Sequence, residues 1–112
     1  LVDRLQPYLN QYGDNRKPFY IVLEGVRLNT GQSRDFICCP APVAHLYKDP
    51  YPELEMRIAE ICRIVSKYPV FITGAWGCGF FGNRFEDVEA LFRKYAVNET
   101  VVMAIPKRGS KI

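Results

Sequence analysis

The stretch that most limits how this chain can fold is Pro69-Val70-Phe71-Ile72-Thr73-Gly74-Ala75-Trp76-Gly77-Cys78-Gly79-Phe80-Phe81-Gly82-Asn83. An apolar run of strand length ends in four glycines, and an amphipathic pattern follows at once. Short apolar runs bounded by glycine suit a buried strand, so the segment predicts a buried strand, a tight loop and a helix start. Gly77, Gly79 and Gly82 place no Cβ beside their N–H groups, which leaves those groups able to turn toward an anion. Asn83, with Glu86 three residues on, has the form of an N-cap and its acidic partner. A strand feeding a glycine-rich loop onto a helix N-terminus makes a phosphate cradle, because the positive end of the helix dipole points where the amides point.

Gly77-x-Gly79-x-x-Gly82 also has the spacing of the dinucleotide fingerprint. No second βαβ unit with an acidic ribose-binding residue follows, since residues 83–95 read as helix and one strand remains. A plain Rossmann domain is therefore disfavoured. Two readings of the glycines stay open: phosphate or nucleotide binding, and close packing of helix on strand. Trp76, Phe80 and Phe81 favour the first, because aromatic faces beside a phosphate loop can stack on a base or ribose.

With 112 residues, 48% of them apolar and 24% charged, the chain suits one soluble domain over residues 1–112 with a modest core. No apolar run reaches the roughly 18 residues of a membrane span, and Leu1-Val2-Asp3-Arg4-Leu5 lacks the pattern of a secretory signal. The chain does not begin with methionine, so a piece of a longer product or a processed one is expected. The net charge of +3, with Lys107, Arg108 and Lys111 together and Arg16 and Lys17 in an early loop, suits anionic ligands weakly and shows no basic stripe of a nucleic-acid reader. Cys38, Cys39, Cys62 and Cys78 have no zinc or redox-pair spacing. The first three read as reduced core residues of an intracellular, cytoplasmic protein. Cys78 reads as a small neutral loop residue, although a helix N-terminus can activate a thiol. His45 stands alone and reads as a surface or hydrogen-bonded residue. No metal or cofactor is indicated.

In chain order, Val2, Leu5, Tyr8 and Leu9 recur at helical spacing, and residues 12–18 form a loop. Residues 19–28 and 35–39 read as strands, the second halted by Pro40 and Pro42. They can form a hairpin, whose register the intervening turn is too long to fix. A helix is predicted from Glu53 to Lys67 with Leu54, Ile58, Ile61, Cys62 and Val65 on one face, Glu53 and Glu55 in its first turn and Lys67 in its last. A second helix from Arg84 to Tyr95 turns Phe85, Val88, Leu91, Phe92 and Tyr95 inward, and residues 100–105 form a closing strand ended by Pro106. This alternation predicts an α/β sheet with helices on its faces.

The run from Gly74 to Asn83 resembles the second phosphate loop of the microbial-type poly(ADP-ribose) glycohydrolases of the macrodomain superfamily, and Pro40-Ala41-Pro42 is similar to a second short motif of that group. The order of elements from Leu1 to Ile105 resembles the C-terminal half of the family's domain. The resemblance implies a macrodomain-like mixed sheet with flanking helices, lacking its N-terminal half, and an ADP-ribose site at the C-terminal ends of the strands. It implies a diphosphate held by amides of the loop Ala75, Trp76, Gly77, Cys78, Gly79, Phe80, Phe81, Gly82 and Asn83, with Phe81 packed near a ribose. Trp76 reads equally as a packing residue. The family's hydrolysis depends on an upstream glycine-rich loop with paired glutamates, which nothing here matches: Glu24 lies in a strand pattern and Glu86 in a capping position. Val43 stands where the family tends to have asparagine.

Binding of ADP-ribose or an ADP-ribosylated substrate is thus implied, while the catalytic residues stay unknown. A sheet lacking an interior strand leaves backbone groups without partners, so association with the missing half or with a second copy is expected. Three functions are carried forward: part of an ADP-ribose-processing hydrolase, a non-catalytic ADP-ribose-binding module, and a structural α/β interaction domain.

Overall fold

A computed structural model of the protein describes residues 20–79 and 81–105. The predicted helix over residues 2–9, the loop over 12–18, the basic group at Lys107, Arg108 and Lys111, and Phe80 lie outside the described residues. The chain divides into two compact units, Leu1–Pro40 and Ala41–Ile112.

In the first unit, β1 (Ile21–Arg27) and β2 (Ser33–Cys38) form an antiparallel hairpin. Gly31, at φ +87°, closes its turn by donating to Leu28 O at 2.9 Å. The register pairs Leu23 with Phe36 and Val26 with Arg34, so that Glu24 and Gly25 together face Asp35. This is a β-bulge, and Gly25 takes the φ of +64° that it requires. The Gly25 amide donates to Asp35 Oδ1 at 2.8 Å. Strict alternation would put Leu23 and Val26 on opposite faces. The extra residue resets the phase, and both are buried while Glu24 between them is exposed.

The second unit opens with a single 3-10 turn (Ala44–Leu46), followed by α1 (Tyr51–Val65), β3 (Val70–Thr73), α2 (Phe85–Tyr95) and β4 (Thr100–Met103). Helix α1 starts two residues before the predicted Glu53. Proline is tolerated in a first helical turn, where the missing amide would have no partner, and the Asp49 carboxylate accepts from the Tyr51 amide at 3.2 Å. The helix also ends two residues early, so Lys67 lies beyond it and Arg63 is the base of the last turn. Asn98 Nδ2 donates to the carbonyls of Val65 and Tyr68 at 2.9 and 2.7 Å, which satisfies this end of the helix.

All five residues predicted for the inner face of α1 are buried. They share a core with Val88, Leu91 and Phe92 of α2, the helix that packs on α1. Phe85 and Tyr95, predicted inward, are only half-buried. Glu55 has a different partner from the helix dipole: its Oε2 accepts from Lys94 Nζ at 3.0 Å and from Tyr95 Oη at 2.9 Å, joining the two helices.

Strands β3 and β4 pair in parallel, with Phe71 opposite Val101 and Ile72 opposite Val102, and α2 is the crossover that a parallel pair needs. Phe71 meets the Phe92 ring at 5.9 Å between centroids and is 8% exposed. The prediction of a buried strand holds for that residue alone, because Val70 and Ile72 on the other face are 51% and 64% exposed. Among the described residues β1–β2 and β3–β4 are separate two-stranded sheets, one antiparallel and one parallel. No helix among them is long and apolar enough to cross a membrane.

Candidate functional site

The glycine-rich loop leaves the C-terminal end of β3 and is held by two local turns. Cys78 N donates to Ala75 O at 3.1 Å and Gly82 N to Gly79 O at 3.0 Å, while Asn83 N reaches back to Gly77 O at 3.0 Å. Gly77 and Gly82 have φ of +75° and +76°, which side chains with a Cβ rarely adopt. At Gly77 the constraint is doubled, because a built Cβ would lie 2.6 Å from Ala41 Cβ and 3.0 Å from Asn83 Nδ2. Gly79 has neither constraint, as a Cβ there would meet nothing within 4 Å.

This geometry separates three glycines that are alike in sequence. The Gly82 amide, expected to be free for an anion, is used inside the loop. The amides of Gly77 and Gly79 donate to no acceptor among the described residues. From Gly74 to Asn83 there is no cationic side chain, and Arg84 follows directly, so attraction for an anion would rest on backbone dipoles, the nearby start of α2 and that one charge.

Asn83 is not the N-cap of α2. The helix begins at Phe85 with Arg84 in the cap position, and the predicted pairing of Asn83 with Glu86 does not form. Asn83 turns inward instead and is 5% exposed. Its Nδ2 donates to Pro42 O at 2.7 Å and to Gly77 O at 2.9 Å. Both acceptors are carbonyls, which fixes the orientation of the amide. Oδ1 is buried and has no hydrogen-bond partner. A further bond runs from Ala44 N to Phe81 O at 2.9 Å. The segment from Ala41 to Ala44 and the glycine loop, distant in sequence, are thus joined at several points.

The other predicted site residues take varied places. Ala75 is half-buried and its carbonyl closes the first turn. Trp76 meets Phe92 edge-on at 6.3 Å between centroids, which is the packing role. Phe81 is half-buried. Cys78 is half-buried, and desolvation followed by the charge of Glu86 pushes its thiol above the ordinary value, opposite to an activated cysteine. None of the four cysteines is in a disulfide, and only Cys62 lies in the core, where burial pushes its thiol up to about 11. Glu24, Glu86 and His45 are exposed.

The sequence matches no family model and no curated protein. The fold has counterparts among solved structures. The poly(ADP-ribose) glycohydrolase of Thermomonospora curvata superposes with a TM-score of 0.69 at 21% identity, over 92% of this chain and 48% of that one. The enzyme of Deinococcus radiodurans in complex with ADP-ribose gives 0.67 at 22% identity, over 89% and 51%. A second Thermomonospora curvata structure, bound to the inhibitor ADP-HPD, gives 0.62 at 20% identity, over 93% and 50%. The likeness read from the Gly74–Asn83 and Pro40–Pro42 motifs is therefore met at the level of the fold. The chain spans about half the length of the structures it matches.

Proposed function

We propose that this chain binds the diphosphate of ADP-ribose on the loop from Ala75 to Asn83. The observation that carries the reading is the pair of amides at Gly77 and Gly79, which have no protein acceptor among the described residues although the loop around them is closed by its own hydrogen bonds. The open space beside Gly79 leaves room for a ligand to approach the backbone. Support also comes from fold neighbours solved with ADP-ribose and with ADP-HPD.

In this reading the chain is the ligand-holding part of an ADP-ribosyl hydrolase domain that spans residues 1–112 and further polypeptide. The acid that would protonate the glycosidic oxygen is supplied from outside these 112 residues, as Glu24 and Glu86 are both exposed and lie in a strand and a first helical turn. The rest of such a domain also covers the exposed face of Val70, Ile72, Thr100 and Val102, since parallel sheets are buried on both faces. Cysteines outside disulfides suit a reducing compartment such as the cytoplasm. Calorimetry with ADP-ribose, ADP, AMP and ribose 5-phosphate tests the assignment. Binding should be strongest for ADP-ribose and should weaken when either the diphosphate or the distal ribose is removed. Equal affinity for AMP, or no binding by a chain whose loop is formed, would refute it.

A further inference from the structure

We propose that Asn83 is the positioning residue of this site: by donating both Nδ2 hydrogens, to Pro42 O and Gly77 O, it clamps the glycine loop onto the chain at Ala41 and Pro42 and sets where the Gly77 and Gly79 amides stand. The inference rests on the reading of the loop as the ligand-binding element. Asn83 does not touch the ligand in this account and acts through the backbone it holds.

Three features of the structure carry it. Nδ2 lies 2.7 and 2.9 Å from its two acceptors, so both hydrogens of the amide are committed. The same residue's backbone amide donates to Gly77 O at 3.0 Å, which makes that carbonyl a shared anchor for main chain and side chain. Gly77 in turn lies so close to Ala41 that a Cβ on it would stand 2.6 Å from Ala41 Cβ, and Pro42 is fully buried. The two segments are therefore pressed together, with a polar group sealed between them. Burying that group without its acceptors would be unfavourable. Two carbonyls at one point require a donor with two hydrogens, which a side-chain amide supplies and a carboxylate or an alkyl group of similar size does not.

That chemistry defines the test. In the wild-type 112-residue chain, NMR should find both Nδ2 protons of Asn83 protected from solvent exchange at least about a hundredfold relative to those of Asn29, which is exposed. Exchange at the rate of Asn29 would overturn the proposal without any variant being made. Asn83→Asp and Asn83→Leu keep the volume and remove the donors. Each should weaken ADP-ribose binding at neutral pH at least tenfold and speed exchange at the Gly82 and Asn83-position amides, with Ile58 still protected as a marker of the core. Acidification should partly restore Asn83→Asp, because the protonated carboxyl regains one O–H donor, and should leave Asn83→Leu unchanged. A space-filling role predicts no such difference between the two. Wild-type affinity in Asn83→Asp, or the same pH profile for both variants, would overturn the proposal. Protected Nδ2 protons and a pH-restored loop in a chain that does not bind ADP-ribose would refute the ligand assignment and leave the clamp standing.

Discussion

Gly77→Ala is the sharpest single perturbation of the loop. The substitution places a Cβ on a residue at φ +75°, a left-handed conformation that costs a residue with a side chain about 1–2 kcal/mol. It also drives that atom to 2.6 Å from Ala41 Cβ, which lies on a backbone fixed between two prolines. Overpacking of this kind costs a further ~1–3 kcal/mol. Alanine restricts the unfolded chain and returns about 0.4–1 kcal/mol. The net loss is about 3 kcal/mol, a shift in Tm on the order of 10–15 °C for a domain of this size. Urea unfolding followed by the fluorescence of Trp76, the single tryptophan, reads the loss beside the loop itself. Gly82→Ala has the φ penalty without the clash and should lose about 1 kcal/mol. Gly79→Ala has neither and should gain about 0.4–1 kcal/mol from the restricted unfolded chain. If Gly77→Ala were as stable as Gly79→Ala, the close approach to Ala41 and the reasoning built on it would be wrong.

Other consequences are smaller in scope. Ile58 is 0% exposed in the core between the helices, and Ile58→Ala should cost ~2–5 kcal/mol in urea unfolding, with no local effect on the loop. The Lys94 ammonium and then the Tyr95 hydroxyl hold the Glu55 carboxyl below the ordinary carboxylate range, and Glu55 in turn raises Lys94. The carboxylate's contribution is present above its unfolded pKa and is lost as pH falls through its lower folded value. The ammonium's contribution is lost as pH rises through its raised folded value. Glu55→Gln should therefore flatten the acid limb of the stability profile in a pH series of unfolding curves. Ile72→Lys should leave the fold within about 0.5 kcal/mol, because the site is exposed, yet abolish association through the β3–β4 face. Sedimentation velocity reads this directly, and a wild-type chain that stays monomeric and unfolds cooperatively on its own would count against such an interface.

Much of the fold was legible because it is local. The spacing of Leu54, Ile58, Ile61, Cys62 and Val65 named the buried face of α1, and the β-branched run from Thr100 named β4. Local signals failed where one residue had two uses. Asn83 in front of an amphipathic run has the chemistry of an N-cap, yet two carbonyls brought to it by the fold outcompete that role. Gly25 lies inside a run read as one unbroken strand, and only the pairing with Asp35 shows how a bulge there rephases Leu23 and Val26. The apolar run at β3 reports what the strand would bury. What lies over Val70 and Ile72 is a property of the surroundings and has no mark in the run itself. In the loop, the glycines announced an unusual backbone but not which of them serves it. Contact with Ala41 singles out Gly77, internal bonding takes Gly82, and Gly79 alone stays open.

The central claim is that the amides of Gly77 and Gly79 receive a diphosphate. A titration of the isotope-labelled 112-residue chain with ADP-ribose, followed residue by residue by NMR, addresses it most directly. Saturable shifts should be largest at the amides of Gly77 and Gly79 and reach Phe81, with those of α1 unchanged. Shifts confined to other parts of the chain, or none while the Asn83 to Gly77 bond is formed, would contradict it.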